Sequence, residues 1–168
     1  MGAHYVLTES IHQNVFSNWD WVEALIASIP VAILVMLIVW INQFQDAPSD
    51  AAVGKNTWVV RTAEQGEWMK LEKPMRLYKQ FMIEAFIAVA LIGALSFFTD
   101  FGTIYAFIAL LPLALVWKAF KMADEWMVKW NNPEADRQKV PYELLLVNVS
   151  TIGIHFLTSI LLTVAYIL

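Results

Sequence analysis

The sequence predicts an all-α integral membrane protein with four transmembrane helices, and three observations lead there. Hydrophobic residues make up 59% of the 168-residue chain and charged residues only 15%, against roughly half and a quarter in a soluble domain. Mean hydropathy is accordingly high, at +0.55. The surplus lies in four long blocks, and blocks of about 18 or more apolar residues are read as membrane spans rather than core helices. Finally, every Lys and Arg falls in one of two segments between blocks, the asymmetry expected of loops retained in the cytoplasm.

The outer tail, residues 1–18, opens with MGAHYVLTES. It lacks a basic stretch followed by an apolar core and a small-residue cleavage site, so the sequence predicts no cleaved signal peptide. The first span covers 19–41. Ser17 and Asp20 make a capping box at its start. Trp19 and Trp21 at one end lie about 30 Å from Trp40 at the other, the separation of two interfacial aromatic belts. Pro30 is expected to kink this helix.

The first loop, 42–80, begins with the small-residue linker QDAPSDAAVGKN. TWVVRT and EWMKLE, bulky or β-branched runs on either side of the turn-prone AEQG, then suggest a small β-hairpin. An irregular loop is the competing reading. The second span, 81–98, and the third, 101–117, are separated only by Thr99 and Asp100, so they must form a tight antiparallel hairpin.

The third span is predicted to continue as an amphipathic cytoplasmic helix within 118–141. At about 100° per residue, Ala119, Phe120, Met122, Ala123, Trp126, Met127 and Trp130 share one side, with Lys118, Lys121, Asp124, Glu125 and Lys129 opposite. An apolar stripe needs cover, from the bilayer surface or from a partner subunit. Phe120, Met122, Trp126, Met127 and Trp130 are therefore a candidate docking face. The fourth span covers 144–168.

Six basic residues (Lys55, Arg61, Lys70, Lys73, Arg76, Lys79) lie in the first loop and five (Lys118, Lys121, Lys129, Arg137, Lys139) in the second. The positive-inside rule then places both termini on the outer face of an inner, cytoplasmic membrane.

Composition also excludes function classes. With no cysteine, disulfides, thiolate metal sites and thiol catalysis are ruled out. The net charge of −4 is spread over tails and loops and makes no nucleic-acid footprint. The chain carries no phosphate-cradling Gly-rich loop, no H-E-x-x-H, and no nucleophile paired with a base. His4, Glu9 and His12 match no metal-ligand spacing. The sequence thus assigns no catalytic, cofactor or metal site.

Three intramembrane candidates remain, because ionisable groups inside a span are costly. Glu23 and Glu84 each lie one turn into a span, where a carboxylate also favours a helix N-terminus. His155 sits near the predicted midplane of the fourth span. Asn148, Thr151, His155, Thr158, Ser159 and Thr163 fall within an arc of roughly 140° around that helix. Such a face must meet protein or a water-filled cavity. It serves helix association, or a proton, ion or solute path.

Two functions follow as expectations. The first is a non-catalytic accessory subunit of a larger inner-membrane complex for transport, secretion or energy conversion. It would dock through the polar face of the fourth span and the amphipathic helix. The second is a small homo-oligomeric transporter or channel whose fourth spans line a polar path around His155. The partners implied are the lipid bilayer and other membrane subunits or further copies of the chain.

Overall fold

The computed structural model describes residues 20–66 and 69–168, with Asp20 and Trp21 as backbone only. The Ser17–Asp20 capping box, the belt residues Trp19 and Trp21, and His4, Glu9 and His12 lie outside the described residues. Among the described residues the regular structure is all helical, and four helical segments are long and apolar enough to cross a membrane.

Helix α1 (Asp20–Ala52) runs for 33 residues, unbroken through Pro30 and Pro48. It is followed by the short α2 (Trp58–Thr62) and by α3 (Glu72–Leu95). The third membrane-length segment is composite: a 3-10 helix (Ile104–Leu110), then α4 (Leu113–Trp130). A second 3-10 turn (Val140–Leu144) leads into α5 (Leu145–Ile167). In the bundle, α1 packs on α3 and α5, and the composite segment packs on the same two helices.

The first correction concerns the linker. Residues expected to be irregular are helical as far as Ala52, about three turns past the predicted end. This extension has a buried face, with Phe44 and Ala47 fully enclosed. It ends where Gly54 adopts φ +72. There Gly54 N donates to Ala51 O (3.1 Å) and Lys55 N to Asp50 O (2.8 Å), the double bond of a Schellman stop.

The second correction concerns the β-hairpin. Its first arm is α2, and among the described residues its second arm is reduced to one antiparallel bridge, Glu64 to Lys70. A strand would point Val59 and Val60 to opposite faces. In a helix Val59, Val60 and Ala63 are all buried, with α2 packed on α1. Gln43 of α1 accepts from Val59 N at 3.2 Å, which satisfies a donor that the helix start leaves free.

The third correction is the hairpin between the second and third spans. The α3 helix ends at Leu95 and regular structure resumes only at Ile104. Gly102 turns the chain at φ +79, and a Cβ there would lie 2.3 Å from Ile92 O. Pro112 has no N–H to donate, so the 3-10 stretch passes to α4 at a joint instead of as one continuous helix. Within that stretch Phe107 lies over Gly93 of α3, where a Cβ would approach its ring to 2.9 Å.

Candidate polar site inside the bundle

Two regions hold the side chains that the sequence singles out. The first is the aromatic end of the bundle. Trp126 and Trp130 stack at 5.4 Å, Phe44 meets Trp126 edge-on at 6.0 Å, and Trp40 contacts Phe81 and Trp58, each at 5.9 Å. Each buried indole N–H reaches a backbone carbonyl, that of Trp40 in the first turn of α3 and those of Trp126 and Trp130 in the connecting segments. Trp40 donates to Pro74 O (3.2 Å), Trp126 to Val140 O (2.7 Å) and Trp130 to Met69 O (3.1 Å). Buried tryptophans require such an acceptor, and here the requirement fastens both inter-span connections to the helices.

The stripe proposed as a docking face is this same core. Trp126, Met127 and Trp130 are buried within the chain, and Phe120 and Met122 pack half-buried against them. Its cover comes from α1, α3 and the loops, because the extra turns of α1 bring Phe44 and Ala47 down to it.

The second region is the polar face of α5, which turns inward. Asn148 Nδ2 donates to Asn42 Oδ1 of α1. Thr151 is fully buried, and its Oγ1 lies 2.7 Å from the Tyr78 hydroxyl of α3. Thr151 spends its single proton on Val147 O at 2.8 Å, so Tyr78 is the donor between the two. Thr163, the outermost of the six, is exposed and bonds back to Ser159 O. Glu23 Oε1 accepts from Gly102 N at 3.1 Å, and Glu84 Oε1 from Gln80 Nε2 at 2.8 Å. Among the described residues neither acid hydrogen-bonds to the α5 face, and each is engaged near a chain turn or within its own helix.

His155, Thr158 and Ser159 behave differently from their neighbours. Ser150, Thr151 and Thr163 each bond to the carbonyl four residues back, the usual resort of a helical hydroxyl. Among the described residues, Thr158 Oγ1, Ser159 Oγ and His155 Nε2 are buried and make no bond to protein. The three residues stand at i, i+3 and i+4, so they share one face within about a turn. They form a compact group of one imidazole nitrogen and two hydroxyls, able to donate and accept hydrogen bonds.

Sequence reasoning missed Asn42 and Tyr78, the partners of that face. Asn42 follows the predicted end of the first span by one residue, and Tyr78 sits in the basic approach RLYKQ. Both fall inside the predicted first loop, 42–80. A polar side chain at the margin of each span, in register with Asn148 and Thr151, was the available signal. No family model, curated protein or solved structure matches the chain.

Proposed function

We propose that this chain is a multi-pass protein of the inner membrane, with both termini on the outer face, that serves as a non-catalytic accessory subunit of a larger membrane complex. The observation that carries the reading is the division between inside and outside. Polar groups suited to helix association tie this chain's own helices together, as Asn42–Asn148 and Tyr78–Thr151 do. The outward surface is apolar on every long helix: only 28–39% of the most apolar stretch of each is buried inside the chain. Val39, Ile87, Leu111 and Phe156 are among the large side chains facing out, each 50% exposed or more. Lipid or other membrane helices must cover such a surface.

Docking therefore runs through these apolar outer faces, since the α5 polar face and the Trp-rich stripe are occupied within the chain. Purification from native membranes in mild detergent, with identification of accompanying chains, tests the reading. Reproducible co-purification of a defined membrane partner is expected. A monodisperse species containing this chain alone would sink it.

One observation favours a second reading. The unpartnered group His155, Thr158 and Ser159 suits a small polar solute or a proton in transit, within one protomer rather than between copies. Flux across proteoliposomes of wild type and His155→Ala separates the two. Wild-type flux that the substitution abolishes would establish the transport reading, and no flux would remove it.

A further inference from the structure

The groove between the start of α3 and the end of α4 has a cavity of about 400 Å³. Its floor is Met75 and Met127. Its acids are already engaged: Glu72 accepts from Asn131 Nδ2 at 3.1 Å, and Asp124 pairs with Lys79. Lys79 also lies 5.6 Å from the centre of the Phe120 ring. Arg76, on the groove wall, is exposed and makes no ion pair among the described residues; Lys121, beside the groove and outside its lining, is likewise exposed and without an ion pair among them. Lys121 precedes Asp124 by three residues, so it stands on the same strip of α4, one turn nearer the bilayer.

Above these cations the two helices are mostly apolar; the exceptions are Lys118 of α4, exposed one turn beyond Lys121, and the Gln80–Glu84 pair of α3. On α3 the exposed strip continues through Ile83, Ile87 and Leu91, each between 50% and 58% exposed. On α4, Trp117 follows Lys121 by one turn and is 71% exposed. Charge, then an interfacial aromatic, then a track of aliphatic side chains is the order met along a phospholipid from head group to acyl chain. Basic pockets between membrane helices on the cytoplasmic side suit anionic head groups.

We infer that this groove binds an anionic phospholipid, its phosphate held by Arg76 and Lys121 and its acyl chains laid along Ile83, Ile87 and Leu91. The inference rests on the membrane reading above, which places this end of the bundle at the cytoplasmic leaflet. Asp124 and Glu72, held by Lys79 and Asn131, leave Arg76 and Lys121 to the lipid.

The test uses the full chain in nanodiscs of phosphatidylcholine, with and without phosphatidylglycerol, read by native mass spectrometry of retained lipid and by thermal midpoint. Wild type should retain phosphatidylglycerol preferentially and gain thermal stability from it. With each basic group near the surface contributing on the order of 1 kcal/mol, Arg76→Gln with Lys121→Gln should weaken retention about thirtyfold. Lys129→Gln, whose cation is paired with Glu143, should keep it. Equal loss in both variants would overturn the site in favour of general surface charge. The same stabilisation by inorganic phosphate in phosphatidylcholine discs would overturn the lipid as its source. Failure of the wild type to enter nanodiscs at all would instead overturn the membrane reading, and the inference with it.

Discussion

The two ends of this bundle solve the same packing problem with different chemistry. At the loop-bearing end, Trp40, Phe44, Trp126 and Trp130 fill the core; the indoles of Trp126 and Trp130 bind the connecting segments, and that of Trp40 binds the first turn of α3. At the turn-bearing end the core is Val89, Ile92, Ala106, Ala109 and Leu162, drawn together by a 3-10 stretch and by Gly93 and Gly102. Large aromatic side chains provide burial and a directional bond together. Small residues provide only close approach. The first end should therefore hold its structure by many strong contacts, and the second by backbone shape.

The largest expected effect tests the aromatic side of that contrast. Trp126→Ala removes the stack on Trp130, the edge contact with Phe44 and the donor to Val140 O, and should cost about 3–5 kcal/mol. Trp126→Phe keeps most of the packing but leaves a buried carbonyl unpaired, for about 1–3 kcal/mol. Reversible unfolding in detergent measures both. A Trp126→Phe variant as stable as wild type would show that the bond to Val140 fastens nothing.

Next comes the backbone side. Gly54 and Gly102 both have positive φ, +72 and +79, so Ala at either costs about 1 kcal/mol or more from conformation alone. They differ in surroundings. A Cβ at Gly54 meets open space, whereas at Gly102 it meets Ile92 O at 2.3 Å. Gly102→Ala should therefore be clearly the more damaging of the two, and equal losses by thermal midpoint would mean that close approach at this end contributes nothing.

A smaller and sharper comparison lies within α5. Thr151 and Thr158 are both fully buried threonines two turns apart. Thr151→Val strands the Tyr78 hydroxyl and should cost about 1–2 kcal/mol, and a cycle with Tyr78→Phe should show coupling. Thr158 Oγ1 has no protein partner among the described residues, so Thr158→Val should be neutral or stabilising if the face serves only packing. A loss equal to that of Thr151→Val would point to a polar occupant beside His155.

These contrasts also mark what the sequence made legible. Four apolar blocks long enough to span a bilayer survive almost any tertiary arrangement, so the helices and the gathering of polar residues on one face of α5 were readable from periodicity, whereas the partners of that face within the chain, Asn42 and Tyr78, were not. Their limits were not. Residues 45–52 look like a linker because Pro48, Ser49 and Asp50 carry turn propensity. They become helical because Phe44 and Ala47 gain a buried face against a helix more than sixty residues away in sequence. TWVVRT has strand propensity, yet only a helix buries Val59, Val60 and Ala63 together. IYAFIAL shows no period that separates 3-10 from α, and the evident marker, Pro112, lay inside an apolar run. Propensity yielded wherever a long-range contact could bury more.

The smallest effect expected tests how the loop-bearing end responds to pH, through Asp136. Its carboxylate accepts from Gln138 N at 3.0 Å and pairs with Lys139 at 3.3 Å. The backbone bond from Gln138, then Lys139, hold its pKa below the ordinary 3.8. The folded state therefore binds this proton less readily than the unfolded chain. Its contribution is complete above the unfolded value and is lost as pH falls through the lower folded value. Asp136 O also accepts from Val140 N at 2.9 Å, and Val140 carries the carbonyl that Trp126 binds. Charge on an exposed loop residue thus reaches the aromatic core through one short turn. Asp136→Asn should lower the thermal midpoint slightly at neutral pH, and the gap to wild type should begin to narrow near pH 3.8 and close as pH falls through the lower folded value. A gap that stays constant with pH would assign the effect to the shape of the turn instead of its charge.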